Sequence, residues 1–238
     1  MLAACDTAAM TKPGFEEIPL DLSRVPSVEE GLADAAARDR AFVDLAKASL
    51  GEGTLFLSHL PLMSFINRAI SLHRGIVAVV RAENPHAAFT LLRAYLELTD
   101  LVYYVDSDYE YLNALTQPMS ELPRHARKSF RDLFEFAAPD MPGVRTVYSV
   151  LNEMAHFGST ALWHPFSLDE TDPATGTLGT LAFSTGPHWK RPDDARIALA
   201  MLREADEVTL EVLRLFAEHH VTPSIERATG GPPELTPG

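Results

Sequence analysis

Ser27-Val28-Glu29-Glu30 opens the first regular pattern of the chain, with a serine able to cap a helix and a glutamate three residues on, the spacing of a capping box. Val28, Leu32, Ala35, Phe42 and Ala46 follow at helical spacing, which predicts a first helix from 27 to about 50, stopped by Gly51-Glu52-Gly53. Pro61 suits the first turn of a second helix that continues to about 82. Asn84-Pro85 then supplies an N-cap and a proline at the first helical position, so a third helix is predicted over 86 to about 105, antiparallel to the second. From Asp106 the pattern is choppier. A short helix is predicted over 109–115, another over 124–137 behind Pro118 and Pro123, and a third over 144–157 ending at Gly158. The runs 160–167 and 177–184 alternate like strands around an acidic loop, and Pro192-Asp193-Asp194 starts a last helix in which Ala198, Met201, Ala205, Val208, Val212 and Leu215 recur three and four apart. The predicted fold is mainly α: a helical bundle of five to six helices with one small β-hairpin before the C-terminal helix. It forms a single domain over 27–220 (hairpin about 160–184), flanked by an extended N-terminal arm over 1–26 and a disordered tail over 221–238.

Composition narrows the function classes. With 46% apolar residues the chain can build a core, and 20 Lys+Arg against 33 Asp+Glu give a net charge of −13, which opposes free nucleic acid as a partner. Even the most apolar segment, 89–105, carries Arg93, Glu97 and Asp100, so no membrane span is expected. The single cysteine, Cys5, cannot form an internal disulfide and fits a reducing, cytoplasmic setting. Leu2-Ala3-Ala4-Cys5 has the form of a lipoprotein cleavage box, but without a basic start and an apolar stretch before it a loose tail is the expectation.

Two polar stripes are the candidate chemistry. In the third helix His86, Thr90, Arg93, Glu97, Asp100 and Tyr104 step by four and three among apolar residues, so they face either water or a polar cavity. In the helix before the hairpin, Arg145, Ser149, Asn152 and His156 form a second stripe. If the stripes face each other, Arg93, Glu97 and His156 become the catalytic candidates, with His156 as general base and Arg93 stabilising an anion. Asn152, Tyr104 and Arg145 then become ligand-binding candidates. Arg124, Arg127, Lys128 and Arg131 would share one helical face as a basic cluster, and Trp163, His164, Pro165 and Phe166 with His188-Trp189 suggest aromatic packing. Glu83-Asn-Pro-His86 and Glu153-Met-Ala-His156 have the Glu-x-x-His form of di-iron bundles, but Asn84-Pro85 puts Glu83 outside the helix of His86. Glu153 or His156 with His164 or His188 lacks tight zinc spacing, and no Walker loop, Gly-x-Ser-x-Gly elbow, Rossmann fingerprint or Cys-x-x-Cys pair occurs. No metal and no cofactor are therefore expected.

Arg93-Ala-Tyr-Leu-Glu97 followed by Asn152-Glu-Met-Ala-His156 resembles uncharacterised bacterial all-helical domains over roughly 80–156, which implies a helical fold and no particular activity. Arg81-Ala-Glu-Asn-Pro-His86 is similar in its Arg-x4-His spacing to the HEPN domains, helical bundles that cleave RNA without metal, although Ala82 stands where that family has Asn, Asp or His. The functional expectation is a module that binds a small ligand or a protein partner through the Arg/Glu/Asn/His group. The alternatives are a HEPN-like ribonuclease and a hydrolase. The apolar side of the last helix also suits a homodimer.

Overall fold

A computed structural model describes residues 18, 20–50, 55–118, 120, 123, 126–141, 143–155, 166–168, 181–183, 186–191 and 193–229. Helix starts follow local chemistry. α1 (Val28–Leu50) begins behind Ser27, whose Oγ accepts the Glu30 N–H at 3.1 Å. α2 (His59–Arg81) and α3 (Pro85–Ser107) are separated by a tight turn in which Glu83 takes a φ of 53°. Asn84 ends that turn by accepting the Ala87 N–H at 3.1 Å, with Pro85 at the helix start where its missing N–H costs nothing. Glu83 therefore lies outside α3, as the proline restart predicts.

Beyond α3, a 3₁₀ turn at Tyr109–Tyr111 leads into α4 (Leu112–Thr116). The helix expected from 124 starts only at Phe130, as α5 (Phe130–Ala137). Ser129 is the reason: its Oγ accepts the Asp132 N–H at 3.2 Å, and Asp132 accepts the Ser129 N–H at 3.0 Å, a complete capping box. Arg127 and Lys128 therefore precede the helix and Arg131 lies within it, while Arg124 lies outside the described residues. Arg127 instead donates to the carbonyls of Ala114, Leu115 and Gln117 at 3.1, 3.1 and 2.9 Å, satisfying the open C-terminal end of α4. Lys128 lies over the Tyr104 ring, 5.8 Å from its centroid.

α6 (Val144–Ala155) follows, and Phe166–Leu168 (β1) pairs antiparallel with Leu181–Phe183 (β2), Phe166 opposite Phe183. The remainder of both strand-like runs and Trp163 lie outside the described residues. α7 (Asp194–Phe216) is succeeded by a π-helical turn at Ala217–Val221 and by α8 (Thr222–Thr229). The start of the expected disordered tail is thus helical. Val221 is buried and Ile225 packs on the core.

The described residues are mainly α. α3 packs on α2 and α7, α1 lies across α2 and α7, and α5 and α6 cover α3 from the other side. Of the apolar positions along α7, Ala198, Met201, Ala205 and Val212 are buried in the chain's own core, while Val208 is 39% exposed. Among the described residues no helix is long and apolar enough to cross a membrane.

Where these helices meet, the core is polar. Asp206 of α7, fully buried, accepts from the Tyr95 hydroxyl of α3 at 2.9 Å and contacts His73 Nδ1 of α2 at 3.0 Å. One turn away Thr99 and Thr209 share a hydroxyl hydrogen bond of 2.7 Å. Burial pushes the Asp206 carboxyl above its ordinary pKa, with His73 and Tyr95 opposing, and pushes the Tyr95 phenol well above its own.

The N-terminal arm is pinned to the bundle. Arg196 of α7 donates to the carbonyls of Val25 and Leu22 at 2.8 and 3.2 Å, and Arg24 pairs with Glu204 and Glu207 at 3.0 and 2.6 Å. At Gly31 a Cβ would stand 2.8 Å from Val25 Cγ1 and 2.9 Å from Leu199 Cδ1, both from buried side chains with little room to yield. Gly31→Ala is therefore expected to lose about 1 to 2 kcal/mol in denaturant unfolding, the overpacking outweighing the helix propensity gained. A variant as stable as the parent would mean that the arm adjusts freely.

Candidate ligand-binding site

The stripe along α3 does not meet one environment. Thr90 is exposed and turns its hydroxyl back to the His86 carbonyl at 2.7 Å, whereas Asp100 is only 1% exposed. The difference comes from what packs above each residue. Past Arg93, α3 runs beneath α6 and the turn before it, with the arm and α7 closing the sides.

These elements line a cavity of about 280 Å³ that is partly open to solvent. Leu96, Val144, Val147, Met201 and Val208 give it apolar walls, and Ile18 and Leu20 bring the arm across it. Asp100 lies in its wall. The Oδ2 atom of Asp100 is buried and has no hydrogen-bond partner among the described residues. Burial, reinforced by the nearby Glu97 carboxylate, raises the Asp100 pKa from 3.8 to about 7. The other ionisable groups lining the cavity are also acids: Asp140 accepts from the Tyr103 hydroxyl at 2.7 Å and Glu204 pairs with Arg24. No basic side chain is among the described lining residues.

A polar group continues along the α3–α6 interface. Arg93 pairs with Glu97, Nε to Oε1 at 3.2 Å, and its guanidinium lies over the Tyr148 ring of α6, 5.6 Å from the centroid. Asn152 is one turn further along α6 than Tyr148, with its Oδ1 buried and lacking a hydrogen-bond partner among the described residues. Arg93, Glu97 and Asn152 are thus on the elements that the facing-stripe expectation requires. His156 lies outside the described residues.

Arg145 and Tyr104 belong elsewhere. Arg145 forms a two-pronged pair with Glu135 of α5 at 3.1 and 2.8 Å and lies over the Phe134 ring, 5.6 Å from its centroid. Tyr104 is eleven residues beyond Arg93, about 16 Å along the helix, and packs edge-on against Tyr111 and Phe136. Of the Arg-x4-His pair, Arg81 is the last residue of α2 and His86 is in the first turn of α3, across the Asn84-Pro85 restart. Burial holds the His86 imidazole below its ordinary pKa. Trp189 packs edge-on against Phe89, centroids 6.1 Å apart.

Sequence reasoning placed Asp100 in the stripe without separating it from its neighbours. The available signal was its position four residues after Leu96 on the most apolar helix, one turn beyond the Arg93–Glu97 pair that could have neutralised it. What the arrangement can do is bind: an apolar chamber with a single unsatisfied acid favours a ligand that brings a donor or a positive charge. No family model, curated protein or solved structure matches the chain.

Proposed function

We propose that this protein is a small-ligand-binding module that takes an organic ammonium ion with an apolar body into the cavity at Asp100. The unpartnered buried Oδ2 carries the reading. A carboxyl oxygen enclosed by apolar walls costs free energy until something donates to it, and an ammonium both donates and compensates the charge. The acidic lining, Asp100, Asp140 and Glu204, favours a cation over an anion, and the size of the chamber suits a compact ligand. Arg93, Glu97 and Asn152 are the polar extension of the site along the α3–α6 interface. The single cysteine and acidic surface suit a cytoplasmic setting.

Calorimetry with primary alkyl amines of increasing chain length, set beside alcohols of the same length, tests the proposal. Saturable binding that strengthens with chain length for the amines, by about 0.8 kcal/mol per buried methylene, is expected, with alcohols at least about tenfold weaker. Asp100→Asn, which keeps the shape, should abolish the preference for amines. Equal binding of amines and alcohols, or an unchanged preference in Asp100→Asn, would remove the reading.

A further inference from the structure

A second group of ligating side chains lies at the C-terminal end of α3, nearly two turns beyond Asp100 and outside the cavity lining. Asp106, in the last turn of α3, meets His219 and His220 of the π-helical turn that follows α7. His219 Nδ1 is 3.1 and 3.0 Å from the two carboxylate oxygens, and His220 Nε2 is 3.1 Å from Oδ1. One donor atom from each residue fits within 4.8 Å of the others. Ligand atoms bound at about 2.0 to 2.2 Å around one tetrahedral ion are themselves about 3.3 Å apart, so the three groups already stand near the separations that a shared ion requires.

The local backbone explains how two consecutive histidines reach one carboxylate. In a regular α-helix adjacent side chains point in different directions, whereas a π turn widens the helix by a residue, and such turns gather at functional sites. Tyr109 and Phe216 then fix the more buried ring: His220 stacks on Tyr109 with centroids 4.4 Å apart and tilts against Phe216 at 4.8 Å. Without an ion, His220 Nε2 donates to the Asp106 main-chain oxygen, also at 3.1 Å, a hydrogen bond that Nε2 exchanges for the metal on binding. His219 is half-exposed, so an ion can arrive from solvent without the core opening.

The geometry points to a divalent metal site built from Asp106, His219 and His220, with two nitrogens, one carboxylate and further positions left to water. Imidazole with carboxylate selects borderline first-row ions, zinc(II), cobalt(II) or nickel(II), over magnesium or calcium, which prefer all-oxygen shells. The site is independent of the cavity proposed above, and either can fail alone.

Titration of the full chain with cobalt(II), followed by its visible absorption band, and with zinc(II) by calorimetry, tests it. One equivalent of each is expected to bind, zinc displacing cobalt, while magnesium gives no heat. His219→Gln removes a half-exposed ligand and should fold as the parent does, with its metal-free melting temperature near the parental value and its zinc affinity lower by about tenfold or more. Asp106→Asn should weaken zinc by a similar factor. Absence of a saturable cobalt band in the parent overturns the assignment, as does parental zinc affinity in His219→Gln; the three side chains would then be a hydrogen-bonded clamp between α3 and the end of α7.

Discussion

Asp206→Ala is expected to lose about 3 to 5 kcal/mol of folding stability, the largest effect of any single substitution considered. The carboxylate stands where α2, α3 and α7 meet and is contacted by His73 Nδ1 at 3.0 Å and by the Tyr95 hydroxyl at 2.9 Å. All three residues are essentially inaccessible to water, so removal of the acceptor leaves two buried polar groups that solvent cannot rescue. It also leaves a void in close-packed surroundings. Tyr95→Phe is the informative companion: it deletes one donor while His73 still serves the carboxylate, and should lose only about 1 kcal/mol. Urea unfolding of the two variants beside the parent, with unchanged m-values, would measure both. A loss below about 1 kcal/mol for Asp206→Ala would show that the network does not hold the helices together.

Asp100→Asn should act in the opposite direction, and only above acid pH. The folded carboxyl has a pKa of about 7 against an ordinary value of 3.8, so between these values the folded chain holds a proton that the unfolded chain has released. Stability therefore falls as pH rises through this window, by up to about 4 kcal/mol once the carboxyl is fully ionised. Besides burial, the charge that raises the Asp100 pKa is that of Glu97 on the same helix; the other ionisable groups facing the cavity, Asp140 and Glu204, are also acids. The amide keeps the shape of the neutral acid and never ionises. At pH 8 the variant should melt higher than the parent by up to about 8 to 16 °C, and below pH 4 the two should coincide. Because the comparison is a difference, other titrating groups such as Asp206 cancel. Coincident melting curves at pH 8 would mean that Asp100 reaches water or a counter-charge when ionised, which would also weaken the ammonium-binding reading.

Much of the helical layout was legible because its signals are local. Asn84-Pro85 marks the start of α3 through an N-cap and a proline whose nitrogen needs no partner, and Ser27 marks α1. Arg93 and Glu97 pair along one helix, so their proximity follows from four-residue spacing alone. Where local signals compete, reading is harder. Ser129-Phe-Arg-Asp132 is itself a capping signature, yet the charged run before it looks equally helical, and only the tertiary contact of Arg127 with the end of α4 shows why Arg127 stays out of the helix. The start of the tail reads as disordered from its prolines and glycines, and becomes helical because Val221 and Ile225 find the core.

By itself, then, the chain determined its mainly helical class, the boundaries of its long helices and the presence of a polar stripe on α3, since each depends on residues within about one or two turns. Tertiary structure alone decided what that stripe meets. Asp100 and Thr90 occupy the same periodic pattern, but α6, α7 and the arm bury one and leave the other in water. His219 and His220 reach Asp106 across 113 and 114 residues of chain, and Asp206 reaches His73 across 133. No periodicity reports such meetings, because they depend on how whole helices cross and on which groups that crossing removes from solvent.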